Sequence, residues 1–195
     1  SSNITGGGSP LDCCDWGAIS QRVKAVLTDP VGVWPSIKDE NKSIKEIYLS
    51  YVIPLVAIGM CCTILGSMFA GNGFIGSIVN NVVASVIQLA SLIVLAYIYK
   101  FLAGTFDGNT DETSTFKLIA YSSTAAYVGA FFSLIPSISI IGALFSLYTL
   151  YIIFQGIPVM TGVTEKRVPY FIAAIIASIV TFFICGLFVA MLSFG

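Results

Sequence analysis

Residues Leu118–Thr164 have the sequence LIAYSSTAAYVGAFFSLIPSISIIGALFSLYTLYIIFQGIPVMTGVT, which contains no Asp, Glu, Lys or Arg. One bilayer crossing needs only about 20 apolar residues, so this stretch is long enough for two. Near its middle, Pro136 lacks a backbone donor and disfavours helix in the residue before it. The stretch therefore predicts a transmembrane hairpin, with one helix over residues 116–135 and the next over residues 137–160.

The composition of the whole chain points to the same class of protein. Of its 195 residues, 56% are hydrophobic and only 10% are charged, whereas soluble domains carry about 25% charged residues. A soluble core of this size could not bury so much apolar surface. We therefore predict an all-α, polytopic membrane protein with five transmembrane helices and a short amphipathic N-terminal head. The helices outside the hairpin are predicted at about 47–70, 74–101 and 169–192.

The chain before the first predicted crossing has two parts. Residues 1–15 are rich in Gly and Ser, so we predict a disordered segment or a linker. Residues 16–45 are predicted to form a cytosolic or interfacial amphipathic head, and residues 46–195 the five-helix transmembrane domain. From Trp16 to Leu27, apolar residues recur at helical spacing over a length too short to span a bilayer. Docking of the head on the bundle is the alternative to an interfacial position. The residues predicted at the membrane interface are Trp16, Asp29, Pro30 and Trp34.

Basic residues lie on one side of the predicted bundle. All nine Lys and Arg belong to the head or to the two loops on the same side as the head. The turn at Gly71–Gly73, the turn at Pro136 and the C-terminus have none. Because cytoplasmic loops are enriched in Lys and Arg, we predict a cytoplasmic N-terminus and a C-terminus on the opposite side of the membrane.

The second predicted crossing carries a polar stripe on one helical face. Unpaired amide groups are costly in lipid, so this stripe should face protein or water. Two interpretations stay open, namely hydrogen bonding between helices and the lining of a polar cavity. The residues of the candidate polar stripe are Ser77, Asn81, Gln88 and Ser91.

A candidate helix break lies near the end of the fourth predicted crossing, at Gln155, Gly156 and Pro158. Because Pro158 has no backbone N–H, it leaves the carbonyl of Phe154 without its usual helical donor. This carbonyl and the Gln155 amide could line a site. The alternative is a simple kink before the following loop.

Catalytic and metal-binding patterns are missing from the sequence. The chain has no His, no CxxC pair and no phosphate-binding loop. The adjacent Cys13 and Cys14 are interpreted as reduced thiols, with lipidation or metal binding as the alternative. We therefore expect no catalytic residue, no metal site and no cofactor. The net charge of −1 gives no reason to expect nucleic acid as a partner.

Several motifs, taken in order, resemble one known family. They are Leu27–Pro30, Trp34–Ile37, Tyr51–Leu55, Lys117–Ser122, Ser133–Pro136, Gly156–Met160 and Glu165–Arg167. From about Arg22 to Ile184 the sequence resembles the Yip family, the Ypt-interacting proteins, and more closely its bacterial branch. The resemblance implies five transmembrane helices, a cytosolic N-terminus and, for a bacterial member, the inner membrane. Eukaryotic members are associated with Rab-type GTPases and vesicle formation, but their Asp-Leu-Tyr-Gly-Pro motif is absent here.

These features predict a non-enzymatic membrane scaffold or adaptor that acts from the cytosolic face. Its expected partners are the lipid bilayer and an unidentified cytosolic protein. Small residues at a spacing of four, as in Ala125 and Gly129, allow close helix packing and a homodimer. The alternative function is a small channel or transporter for an unidentified ion or solute, with the polar stripe as its conduit.

Overall fold

The computed structural model describes residues 15–69, 71, 73–134 and 138–194. Residues 1–14 of the predicted linker, with Cys13 and Cys14, and the predicted turn at Pro136 lie outside these ranges. Asp15, the last residue of that predicted linker, is instead the N-cap of α1. The described residues form helices and no strand, which confirms the all-α prediction. In chain order the elements are α1 (Trp16–Thr28), α2 (Val33–Asp39), α3 (Ile44–Ile47), a π-helical turn (Tyr48–Val52), α4 (Ile53–Phe69), α5 (Phe74–Thr105), α6 (Glu112–Ser122), α7 (Thr124–Gly129), a 3-10 turn (Ala130–Leu134), α8 (Ser139–Thr161) and α9 (Arg167–Phe194).

Within the described ranges, four helical stretches are long and apolar enough to cross a membrane. They are Ile44–Phe69, Phe74–Thr105, Ile140–Thr161 and Arg167–Met191. The protein is therefore an integral membrane protein. The predicted third crossing, residues 116–135, does not form a continuous stretch of this kind. Five crossings are thus not confirmed by helix length and composition.

The predicted third crossing is helical in pieces, with a break at Ser123 between α6 and α7. The Ser123 hydroxyl donates to the carbonyl oxygen of Ile119 at 2.9 Å. Bonds of this kind bend helices slightly, but the same bond at Ser178 and Thr181 leaves α9 continuous, so the Ser123 hydroxyl alone does not account for the break. Farther along, Ala130–Leu134 adopts 3-10 geometry. The absence of charged residues predicted an apolar segment here but carried no information about this bend.

The centre of the molecule is α6, in which every residue from Thr115 to Ser122 is buried. The chain continues into α7, which crosses α8 where Gly129 meets Gly142. A Cβ added to Gly142 would lie 2.7 Å from the Gly129 carbonyl oxygen, and one added to Gly129 would lie 2.9 Å from the Gly142 carbonyl oxygen. The two backbones are therefore in direct contact, and a side chain at either position would push the helices apart.

A second pair of helices, α5 and α9, packs through tyrosines. The Tyr170 hydroxyl donates to the Tyr99 carbonyl at 3.1 Å, and the Tyr99 hydroxyl lies 3.0 Å from the Ser178 hydroxyl. The outer faces of both helices expose large apolar side chains over most of their length, a surface too extensive for a soluble monomer. We assign these faces to lipid; examples are Val79, Val86, Phe101, Ile176 and Phe183.

The Gly142→Ala variant is expected to lose about 1–3 kcal/mol of stability, because the added methyl overlaps the Gly129 carbonyl and forces α7 and α8 apart. Thermal unfolding in a mild detergent, followed by circular dichroism, measures this change. The matched control is Gly186→Ala in α9, where an added Cβ meets nothing within 4 Å. The control should melt at or slightly above the wild-type temperature, since Ala favours helix over Gly. Equal melting of Gly142→Ala and wild type would contradict the close crossing.

Candidate functional site at the junction of head and bundle

The turn between α1 and α2 is built around Asp29. Its backbone N–H donates to the Ala25 carbonyl at 2.9 Å, which ends α1. Its side chain accepts from the Gly32 N–H at 2.9 Å, and its carbonyl accepts from the Val33 N–H at 3.1 Å. A Cβ at Gly32 would lie only 2.1 Å from the Asp29 carboxylate, so a larger residue there would displace this carboxylate from its bond to the backbone of residue 32. Pro30 is buried beneath it.

Trp34 joins the head to the bundle. It is completely buried, and it lies against Gly156 of α8. A Cβ at Gly156 would come within 2.6 Å of the Trp34 ring and 2.5 Å of the Leu118 side chain. The Trp34 indole thus occupies space that a side chain at position 156 would fill. Trp16 behaves differently, since 55% of its surface is exposed. Trp34 is therefore a packing residue in this structure, while an interfacial position for Trp16 stays a prediction.

The carbonyl that Pro158 leaves without a helical donor is bound by Arg167, the first residue of α9. The Arg167 Nε donates to the Phe154 carbonyl at 2.9 Å, and a terminal nitrogen of the same guanidinium also donates to it. This nitrogen donates to the Gln155 side-chain oxygen at 3.0 Å as well. The guanidinium lies 3.7 Å from the centroid of the Phe154 ring. α8 runs without interruption through Pro158, so no break of the helix is seen at Gln155, Gly156 and Pro158. The carbonyl that Pro158 leaves free instead joins α8 to α9.

The most buried charge among the described residues is the ammonium group of Lys117, in the centre of α6. Lys117 is only 4% exposed. Its Nζ donates to the carbonyl oxygens of Ile37 at 3.0 Å, Lys38 at 3.4 Å and Glu40 at 2.5 Å. These carbonyls belong to the C-terminal end of α2, where the helix leaves acceptors unsatisfied and its dipole favours a cation. Lys117 therefore caps α2 from the middle of the bundle.

Glu40 lies next to this contact and collects three partners. Its carboxylate is 3.3 Å from the Arg22 guanidinium and 2.7 Å from the Lys42 ammonium, and it accepts from the Tyr121 hydroxyl at 3.0 Å. Burial by itself would raise the pKa of Glu40, but the hydrogen bonds from Lys42 and Tyr121 and the positive charge of Arg22 outweigh it and lower the pKa below its ordinary value. The carboxylate therefore stays ionised at neutral pH.

A chain of contacts continues from Tyr121 toward the predicted membrane interior. The rings of Tyr121 and Tyr51 lie 4.8 Å apart between centroids, and the Tyr51 hydroxyl is 2.8 Å from the Thr124 hydroxyl. Tyr51 belongs to the π-helical turn that precedes α4, and Thr124 is the first residue of α7. Such π-helical turns are frequent at functional sites. The head, the first crossing and the break in the central helix thus meet at one place.

The predicted polar stripe of α5 is not part of this junction. The Asn81 amide donates to the Ser77 carbonyl at 2.8 Å, and the Ser91 hydroxyl donates to the Gln88 carbonyl at 2.7 Å. Both bonds remain within α5 itself. Ser77 and Ser91 are buried, whereas Asn81 and Gln88 are half-buried. The structure brings the head residues and the residues of the predicted helix break together through Trp34 and Gly156, but it leaves the stripe separate.

Sequence reasoning missed the charged residues of the junction. The sequence analysis used Lys117 only as one of the basic residues on the side of the head. Its neighbours Phe116 and Leu118 lie on other faces of the helix, so they do not indicate a buried ammonium group. Arg22 and Glu40 gave no signal either, because the partners of Glu40 include Tyr121, which is distant in the sequence and is brought near only by folding.

Comparison with protein families gives one match, in which the family model described as the Yip1 domain covers residues 24–193. Neither the curated proteins nor the solved structures gave a significant match. The matched range contains the described part of the junction from Lys24 onward, including Glu40, Tyr51, Lys117 and Tyr121. The resemblance predicted from the ordered motifs is therefore confirmed.

The Lys117→Met variant is expected to loosen the head, because the carbonyls at the end of α2 lose a charged donor that no water readily replaces. We expect the free energy needed to open α2 to fall by about 3 kcal/mol, since a hydrogen bond to a charged group contributes about 1.5–3 kcal/mol. Amide hydrogen exchange across α2, measured by mass spectrometry, reports the loosening.

The control for this variant is Lys38→Met, which removes an exposed ammonium from α2 itself. Its exchange should match that of the wild type. If the amides of α2 exchange equally slowly in the Lys117→Met and Lys38→Met variants, Lys117 does not cap α2.

The lowered pKa of Glu40 predicts a dependence of stability on pH. A carboxyl whose pKa is lower in the folded state stabilises the protein above the pKa of the unfolded chain, and this contribution is lost as pH falls through the folded pKa. The melting temperature of the wild type should therefore fall on acidification below the ordinary Glu pKa, and Glu40→Gln should remove part of that fall. Glu165→Gln, at an exposed loop position, is the control. Parallel curves for the wild type and Glu40→Gln would refute the assignment.

Proposed function

We propose, since this chain belongs to the Yip1 domain family, that it is a non-enzymatic membrane scaffold or adaptor acting from the cytosolic face. The observation that carries the proposal is the way the head is held. A buried ammonium, a buried indole and a carboxylate with three partners secure a short polar segment to the bundle. A surface held rigidly in this way is pre-organised for a partner, because binding then costs little additional ordering.

The domain layout that we propose has the head at residues 16–45 and five crossings in residues 46–195. Four crossings are the apolar helical stretches described above. The remaining one is the segment formed by α6, α7 and the 3-10 turn, which descends through the middle of the bundle to the start of α8. A crossing surrounded by protein tolerates polar residues and a bend that lipid would not. This explains why it lacks the long apolar helix of the other four.

The proposed orientation places the N-terminus in the cytoplasm and the C-terminus on the other side of a bacterial inner membrane. Its support is the position of the basic residues. Lys117 contacts the head directly, at the end of α2. Arg167 binds the Phe154 carbonyl, two residues from the Gly156 that packs against Trp34 of the head, and the preceding residue, Lys166, pairs with Asp107. An odd number of crossings then places the C-terminus opposite.

The proposed partner is a cytosolic protein, which would bind the outward side of the head. Val31, in the turn between α1 and α2, is 57% exposed. Exposed apolar and aromatic side chains on an otherwise polar surface are typical anchors for a partner. A homodimer stays a prediction. Ala125 and Gly129, the small residues that suggested it, are buried inside the bundle and therefore do not support it.

A channel or transporter remains the alternative function. Its motivation was the polar stripe of α5. Asn81 and Ser91 each donate one bond to a carbonyl of their own helix, whereas the buried Ser77 hydroxyl has no hydrogen-bond partner among the described residues. The stripe therefore keeps unused hydrogen-bonding groups, which support this alternative, while the scaffold proposal rests on the way the head is held.

Site-specific photo-crosslinking in intact cells tests the adaptor proposal. A benzophenone amino acid at Val31 should give one reproducible product with a soluble cytosolic protein. The same group at Gly73, in the exposed turn between α4 and α5, should not give that product. Introducing Lys117→Met should reduce the Val31 product several-fold, because the head is then no longer held. An equal pattern of products from Val31 and Gly73 would refute both the orientation and the adaptor role.

A further inference from the structure

A cavity of about 520 Å³ opens between α1 and the π-helical turn. One wall is α1, which contributes Ile19, Arg22 and Ala25, and the opposite wall is formed by Ser50 and Tyr51. Tyr121 and the segment after α2 close the space between them. The charged residues of its lining are Asp15, Arg22, Glu40 and Lys42. The cavity thus combines apolar, aromatic and charged surface in one place.

The two cations of this lining have hydrogen-bonding capacity to spare. A guanidinium group carries five N–H donors and an ammonium group carries three. Arg22 is bonded to Glu40 and Ser36, both at 3.3 Å, and Lys42 is bonded to Glu40 at 2.7 Å. The side chain of Lys42 is 46% exposed. Both groups can therefore donate further bonds to an anionic oxygen, and the planar fork of Arg matches the geometry of phosphate as well as that of carboxylate.

The charge balance of the cavity favours a zwitterionic ligand over an anionic one. The two cations are matched by two carboxylates, so the lining has no net charge. Glu40 is already surrounded by its three donors. Asp15 accepts only a backbone bond, from the Ala18 N–H at 3.1 Å, among the described hydrogen bonds. Its carboxylate therefore offers a place for a positive group beside the phosphate.

The position of the cavity favours a membrane lipid over a soluble compound. Ser50 and Tyr51 lie in the first turns of Ile44–Phe69, the first candidate crossing. At the beginning of a crossing, the polar headgroups of the bilayer lie at the same depth as the protein. The exposed Trp16 at the start of α1 is of the residue type found at this depth. An ordered headgroup could enter the cavity while its acyl chains stay in the bilayer.

We propose that this cavity binds the headgroup of a zwitterionic aminophospholipid of the cytosolic leaflet, with its phosphate on Arg22 and Lys42 and its ammonium on Asp15. This goes beyond the adaptor role and does not depend on a protein partner. The lipid would hold α1 against the first crossing at the membrane boundary.

The test uses the full chain purified in a phosphate-free detergent and measures lipid binding by native mass spectrometry. The probes are phosphatidylethanolamine, phosphatidylglycerol, diacylglycerol and water-soluble glycerophosphoethanolamine. Phosphatidylethanolamine should bind about tenfold more tightly than phosphatidylglycerol, which corresponds to about 1.4 kcal/mol. Diacylglycerol and glycerophosphoethanolamine should bind far more weakly. Binding of glycerophosphoethanolamine as tight as that of the lipid would overturn the membrane source of the ligand.

Three variants assign the contacts. Lys42→Gln should weaken phosphatidylethanolamine binding about tenfold, since one charge-assisted contact is lost. Asp15→Asn should abolish the preference for phosphatidylethanolamine over phosphatidylglycerol, while Asn still serves as the helix N-cap of α1. Lys24→Gln, on the exposed face of α1, is the control and should bind like the wild type.

Equal lipid binding by Lys42→Gln, Asp15→Asn and the wild type would overturn the proposal. The result is independent of the adaptor role, because the purified chain contains no cytosolic partner. If the benzophenone at Val31 gives no product with a cytosolic protein but the purified chain still prefers phosphatidylethanolamine to phosphatidylglycerol, only the adaptor role is refuted.

Discussion

The structure depends on the requirement that a buried cation must find oxygen acceptors. Lys117 lies in the middle of a helix that is buried on every side, and unpaired burial of an ammonium group would cost several kcal/mol. The end of α2 supplies the carbonyl oxygens that solve this problem. In return, the ammonium satisfies acceptors that a short helix otherwise leaves to water. Each group needs the other, so the head is attached to the bundle at this point.

The other contacts of the junction follow from that attachment. Once α2 ends above Lys117, Glu40 is brought beside Tyr121 and within reach of Arg22 and Lys42. Trp34 then lies over α8, where the backbone at Gly156 leaves room for its ring. A similar contact is found at α9, where Arg167 donates to the Phe154 carbonyl, to which Pro158 cannot donate. In both places a basic side chain from another helix binds backbone carbonyls that lack a helical donor.

The central segment, residues 116–135, shows that apolar composition predicts a crossing but not whether that crossing is a single continuous helix. Residues 116–135 have the composition of a crossing, but the chain there bends at Ser123 and tightens after Gly129. Protein surrounds α6 and much of α7, so the segment tolerates buried hydroxyls such as Ser122 and Thr124. At the crossing of Gly129 and Gly142, the small residues predicted to allow close packing are used within one chain. Spacing alone could not distinguish this use from a dimer interface.

The sequence by itself determined the class of the protein. The scarcity of charged residues and the length of the apolar stretches can be recognised without knowing which residues are in contact. It also predicted that Pro158 would free the Phe154 carbonyl, since that effect is local to one helical turn. Only the tertiary structure decided that Arg167 would bind this carbonyl, that Lys117 would cap α2 and that Glu40 would join Arg22 to Tyr121. These partners are distant in the chain. Their pairing depends on how the helices pack, which no local pattern records.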